Sequence, residues 1–217
     1  MEKTVDGRNP LDAWEGRLGL RRIPAFFSVF GAALFRPHVA YAPNGKSAKI
    51  GAALLFWTIA AALSFLLSAL IQSVFPSPFN MAADPIGLLE RAVLLLIGMI
   101  CSTFGVVALA CYQHLFAALL GAGRNGLGVS LRAFLYMNGA LILLAWTPCV
   151  GLLLYPFWGF YLTVAGLQAA HETSAFRAFL AAALAWGLLL ALAAFAAFVF
   201  ALGLIQLLAP SAPPIMV

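Results

Sequence analysis

From Ala178 to Leu208 the sequence carries no charged residue, and Gln206 is the one amide side chain in the run. A bilayer core about 30 Å thick is crossed by roughly 20 apolar residues in an α-helix, each rising about 1.5 Å. Counted from Phe176, this run is longer than that, and Pro210 closes it. Four other stretches resemble it. They cover about Ile50 to Phe75, ended by Pro76-Ser77-Pro78; Leu88 to Leu120, with Glu90 and Arg91 near its start; Leu131 to Trp146, which is short; and Leu152 to Ala169. Composition agrees. The 217 residues are 64% hydrophobic and 9% charged, whereas soluble domains run near 45–50% apolar and about 25% charged. Transmembrane β-barrels alternate apolar and polar residues over about ten positions; these runs are continuously apolar. The expected fold is all-α: a polytopic integral membrane protein with five transmembrane helices.

Lysines and arginines near the spans set the orientation. Lys3, Arg8, Arg17, Arg21, Arg22, Arg36, Lys46 and Lys49 precede the first span. Arg124 and Arg132 lie between the second and third, and Arg177 between the fourth and fifth. Only Arg91 falls on the other side, so five spans put eleven of the 12 basic residues together. The N-terminus is therefore expected in the cytoplasm and the C-terminus outside. This divides the chain into a cytoplasmic segment over 1–49, a five-span domain over 50–208 and a short extracytoplasmic tail over 209–217. The third and fourth spans, separated by "TPCVG", are expected to form a tight hairpin.

The first 22 residues are mixed and charged, unlike a cleavable signal with its early apolar core. In "RRIPAFFSVFGAALFRP", Pro24 suits the first turn of a helix. Phe26, Phe27, Phe30 and Leu34 then recur at helical spacing between Arg21, Arg22 and Arg36. That pattern predicts an amphipathic helix over about 24–35, lying on the cytoplasmic face of the membrane.

The stretch "GAGRNGLG" (Gly121 to Gly128) is glycine-rich and basic, as phosphate-binding loops are. Such loops follow a strand and supply Lys followed by Ser or Thr. This one lies between two apolar helices and has neither. Its glycines suit a turn, and its arginines suit topology and anionic headgroups. Nothing here points to nucleic acid.

Several segments in order resemble the bacterial branch of the Yip (Ypt/Rab-interacting protein) family of five-span membrane proteins. They are "LFRPHVAY"; "QHLFAALLGAGRNGLGVSLRAFLYMNGA", with its His and glycine-rich turn; the Pro148 to Gly151 hairpin; and "WGFYLTVAGLQAAHETSAFRA", with a Trp, a Gly-Leu and a His just before a Ser. The likeness covers roughly Phe26 to Phe198. Where such proteins often have Gly after the second His, this chain has Glu172. The resemblance implies a non-enzymatic protein of the bacterial inner membrane that organises lipids or partner proteins, with a GTPase-type protein among the candidate partners.

Polar residues inside spans are costly and often functional. Here they are Gln72, Ser102, Thr103, Gln113, His114, Asn138, Tyr161, Thr163 and Gln168. No acidic residue lies deep in a span, as an ion-coupled transporter usually needs. His114 and His171 fall at the cytoplasmic ends of their helices, with Glu172 beside the second. Two His and one Glu fall short of a metal site, which wants three or four ligands. Hydrogen bonding between helices is the simpler role, and for Asn138 as well. Cys101 and Cys111 are about 15 Å apart on one helix and cannot bridge. No pattern calls for a metal or other cofactor, and no catalytic constellation appears.

Small residues four apart let helix backbones approach; Gly159 and Gly166 in the fourth span are the pair on which close packing is expected, and homo-oligomerisation stays open. Trp57, Trp146 and Trp186 suit the membrane interfaces. The candidate functional surface is a basic, titratable one at the cytoplasmic level, made by His114, Arg124, Arg132, His171 and Arg177, facing anionic lipid headgroups or a partner's acidic segment. A small transporter or channel, and an accessory subunit of an envelope complex, remain as alternatives.

Overall fold

The computed structural model describes residues 10–16, 22–41, 49–74, 88–144 and 148–208. Every element among them is helical: α1 (Pro10–Gly16), α2 (Arg22–Phe35), α3 (Pro37–Ala40), α4 (Ile50–Val74), α5 (Leu88–Leu119), α6 (Leu127–Ile142), α7 (Pro148–His171) and α8 (Ala175–Leu208). Three of these contain segments long and apolar enough to cross a membrane: Ile50–Ile71, Ala92–Leu119 and Ala175–Gly203. An all-helical chain with three such segments is the build of a membrane protein, because a helix satisfies its own backbone groups in lipid. The expected tail over 209–217, the turn at Pro76 to Pro78 and Trp146 lie outside the described residues.

The centre of the bundle is α6, which packs against α2, α4, α5 and α7. Its buried residues run from Ser130 to Leu141 and include Arg132 and Asn138. Burial on several sides explains its composition. A helix wrapped by protein finds partners for polar groups, and one facing lipid does not. Asn138 donates to Phe134 O at 3.0 Å and accepts from the Tyr155 hydroxyl of α7 at 2.7 Å. The Ser64 hydroxyl of α4 donates to the Ile142 carbonyl at 2.7 Å, one of the last carbonyls of α6, which has no acceptor role inside its own helix.

Boundaries differ from the sequence reading in one instructive place. Pro148 opens α7 rather than sitting in the hairpin turn, because a proline lacks the N–H that a first-turn residue does not use. The helix α6 correspondingly starts earlier and ends earlier than the apolar run suggests. Trp57 also departs from expectation. It is buried between α4 and α5 and donates to Thr103 Oγ1 at 3.2 Å, so it is a packing residue.

The N-terminal segment joins the core. Leu11 and Trp14 of α1 are buried. The Trp14 indole N–H donates to Ala52 O at 2.9 Å, and its ring packs edge-on against Phe26 and Phe56. Arg22 lies over the Trp14 ring at 5.3 Å, a cation–π contact. The helix over the predicted 24–35 segment is present as α2. It has two apolar faces rather than one. Phe26, Val29, Ala33 and Leu34 are buried against the bundle, while Ile23, Phe27 and Phe35 are exposed.

Two helices end alike. Gly121 has φ 66°, and the Ala122 N–H reaches back to Ala117 O at 2.7 Å. Glu172 has φ 50°, and the Thr173 N–H reaches back to Gln168 O at 3.2 Å. Both are the six-to-one bond of a Schellman cap, whose left-handed residue is normally glycine. At the end of α7 a glutamate occupies that position.

Candidate functional site

The turn joining α5 to α6 is built by its glycines. Besides Gly121, Gly126 has φ 82° and ψ 170°, an extended positive-φ conformation that is essentially confined to glycine. Gly123 is required for another reason. A Cβ there would stand 3.0 Å from Ala118 N and 3.1 Å from the His114 ring. The turn therefore folds back on the end of α5 and delivers Asn125 and Ser130 to the two histidines.

Ser130 bridges them. Its Oγ lies 2.8 Å from His114 Nδ1 and 2.7 Å from His171 Nε2. The ring centroids are 5.8 Å apart. Asn125 completes the arrangement. Its backbone N–H donates to His171 Nδ1 at 3.1 Å, and its side-chain amide donates to Ala170 O at 2.8 Å. A backbone N–H can only donate, so His171 Nδ1 accepts. The neutral ring then carries its proton on Nε2 and donates it to Ser130 Oγ. Ser130 Oγ also shares a hydrogen bond with His114 Nδ1. One backbone group thus fixes the tautomer of His171 within a chain joining Asn125, His171, Ser130 and His114 across α7, α6 and α5.

That tautomer matters chemically. A serine nucleophile needs a neighbouring imidazole nitrogen free to take its proton, and His171 Nε2 already holds one. The short Ser130–His171 contact bridges α6 and α7. Among the described residues no group of three His, Cys, Asp or Glu converges as a metal site would.

The five residues expected to share one basic surface separate into two groups. Arg124 and Arg177 are exposed, and Arg177 lies beside Gly121, 4.0 Å from where a Cβ would stand. Exposed Leu119, Leu127 and Phe176 lie within a few positions of them in the sequence. His171 is 1% exposed and His114 is half-buried; both serve the interior chain. Arg132 is also interior. Its side chain is 11% exposed, and Nε donates to Glu15 Oε1 of α1 at 2.6 Å, with the Tyr136 hydroxyl donating to the same oxygen at 3.1 Å. The surface reading fails for Arg132 because it counted charge by loop and gave no weight to a carboxylate from the N-terminal segment. A buried guanidinium needs such a partner.

The glycine reading also shifts. A Cβ on Gly159 would meet Leu141 and Trp186 side chains at 3.5 Å, and one on Gly166 would meet the Tyr41 ring at 3.6 Å. These are ordinary contacts with side chains. The tight approach is at Gly139 of α6, where a Cβ would stand 2.9 Å from the Phe56 ring and 3.3 Å from Trp57 Cα of α4. Tyr41 over Gly166 anchors the end of α3 on α7, and its hydroxyl donates to Ala33 O at 3.3 Å. Burial pushes the Tyr41 pKa up, so the hydroxyl stays a donor.

Sequence reasoning missed Ser130, Asn125 and Glu15. Ser130 and Asn125 lie in the quoted glycine-rich segment, which also holds His114, and the shared level of His114 and His171 was the available signal. Trp14 three residues after Leu11 was the sign that α1 docks. No family model, no curated protein and no solved structure matches this chain.

Proposed function

We propose that this chain is a five-span, Yip-like protein of the bacterial inner membrane that performs no chemistry of its own and organises anionic lipids at its cytoplasmic face. The observation that carries this reading is the sorting of its basic groups. Arg132, His114 and His171 serve the interior, while Arg124 and Arg177 stand exposed at the ends of α5 and α8, close in sequence to exposed Leu119, Leu127 and Phe176. Cations bordering exposed apolar side chains are what the headgroup level of a bilayer favours.

In this reading α4 to α8 each cross once, with the N-terminus inside and the C-terminus outside. The helix α6 has 16 residues, about 24 Å at 1.5 Å each, short of a ~30 Å core. It tolerates this because its neighbours, rather than lipid, surround it. The helix α2 lies at the cytoplasmic interface, with Phe26 in the bundle and Phe27 in lipid. The family reading draws support from Glu172. The position where such proteins often carry glycine is one where this backbone is left-handed. The same surface would receive an acidic segment of a protein partner, of GTPase type by the resemblance.

The test is lipid selectivity of the full chain in bilayers. Spin-labelled phosphatidylglycerol is expected to be immobilised by the protein in preference to phosphatidylcholine. Arg124→Gln with Arg177→Gln is expected to reduce that preference several-fold at low salt and less at high salt. An unchanged preference at low salt would overturn the lipid reading.

A further inference from the structure

The helix α2 begins against one neighbour of α6 and ends against another. Near its start the Phe26 ring packs on Phe56 of α4, with centroids 4.8 Å apart. Near its end the Ala33 carbonyl accepts from the Tyr41 hydroxyl at 3.3 Å, and the Tyr41 ring lies over Gly166 of α7. Along the way α2 packs against α6. A helix that leaves α4, passes α6 and arrives at α7 runs across the bundle.

The depths of its two anchors agree. Phe56 is six residues beyond Ile50, where α4 begins, and Gly166 is five before His171, where α7 ends. At 1.5 Å per residue they lie about 9 Å and about 8 Å in along their helices. An upright α2 would separate Phe26 from Ala33 by about 10 Å. The outward side of α2 holds exposed Ile23, Phe27 and Phe35, and no charge occurs from Ile23 to Phe35. A helix with water on that side would carry charge there. At its C-terminal end, exposed Arg36 and His38 stand beside exposed Phe35 and Val39. Apolar side chains with cations at the end of the helix match acyl chains beneath anionic headgroups.

We propose that α2 is a wedge in one leaflet, lying in the membrane plane among the acyl chains on the N-terminal side, and that it gives this chain a preference for membranes curved with that leaflet convex. Its 14 residues form a rod about 21 Å long and about 10 Å wide. It therefore adds about 200 Å² to that leaflet. Among the described residues no helix lies across the opposite ends of α4 and α7 to match it. Area added to one leaflet alone is relieved where that leaflet is stretched, which is why in-plane helices respond to curvature. The inference rests on the five-span reading in that α4 and α7 must cross the membrane.

The test uses the full chain, with an N-terminal peptide tag, in giant vesicles of phosphatidylethanolamine and phosphatidylglycerol from which a narrow membrane tube is drawn. A fluorescent binder of the tag, added outside, counts only chains whose N-terminus faces the convex leaflet. Those chains are expected to be about twofold or more denser in the tube than on the vesicle. Equal density or depletion would overturn the proposal. Phe27→Ser with Phe35→Ser is expected to lose the enrichment, and Phe198→Ser, at a comparably exposed position of α8, to keep it. Enrichment retained by the double variant would overturn the assignment to α2. A second measurement does not involve curvature. Spin labels attached at Phe27→Cys and Phe35→Cys, in a chain whose three cysteines are replaced by alanine, should report depths within a few ångströms of each other. A difference approaching about 12 Å, that of an upright helix, would overturn the wedge. The tag marks whichever leaflet the N-terminus faces, so an inverted topology in the cell would sink the orientation reading and leave this result standing.

Discussion

Ser130→Ala removes one oxygen from the centre of the bundle and leaves the shape of the side chain almost unchanged. In the native protein that oxygen accepts from His171 Nε2 at 2.7 Å and shares a second hydrogen bond with His114 Nδ1 at 2.8 Å. Interhelical hydrogen bonds in membrane proteins average about 0.6 kcal/mol and reach about 1.7. Two of them give about 1–3 kcal/mol. The upper half of that range is expected here. His171 cannot escape by changing tautomer, because Nδ1 must stay free to accept from the Asn125 N–H. Its Nε2–H is therefore left with no acceptor. We expect a loss of about 2 kcal/mol, read as a shift in reversible unfolding of the purified chain in bicelles. Ser130→Thr keeps the hydroxyl and should lose less. A double-mutant cycle pairing Ser130→Ala with His171→Phe should show coupling of about 1 kcal/mol, since the two changes delete the same bond. If Ser130→Ala costs less than about 0.5 kcal/mol, the chain does not hold the helices together and the reasoning from the His171 tautomer is wrong.

Other outcomes follow from particular contacts. Arg132→Gln strips Glu15 of its cation in a largely buried pair and is expected to cost about 3 kcal/mol, while leaving lipid selectivity at the wild-type value; protease cleavage near α1 should rise in parallel. Glu172→Gly relieves a left-handed residue, worth roughly 1–2 kcal/mol, against the extra chain entropy of glycine, about 0.5–1. The net should be about 0.5–1 kcal/mol of stabilisation in the same unfolding assay. Gly139→Leu should abolish folding into the native bundle, because its first added carbon already stands 2.9 Å from Phe56, whereas Gly166→Ala should stay within about 1 kcal/mol of wild type.

The apolar runs were readable because a helix in lipid must be apolar along its length, and α4, α5 and α8 begin and end within a residue or so of those runs. Membrane packing was less readable. Gly159 and Gly166 stand out by spacing, yet Gly139 makes the tight contact. Spacing says which residues share a face, but not which face meets a backbone. His114 and His171 were visible as a pair by their levels in the two helices. Their mediator, Ser130, was not, since a serine in a first helical turn looks like a cap or a solvated residue. Arg132 and Glu15 are 117 positions apart, and no local pattern links residues so distant. Charge counting by loop therefore placed Arg132 on the surface with Arg124 and Arg177.

The central claim is that five crossings place the Gly121–Gly126 turn on the cytoplasmic side and the C-terminus on the other. Reporter fusions test it directly, one inserted beside Asn125 and one attached after Val217, each a fusion active only on one side of the membrane. The account predicts opposite sides, with the Asn125 fusion cytoplasmic and the Val217 fusion extracytoplasmic. Both reporters on the same side would contradict it.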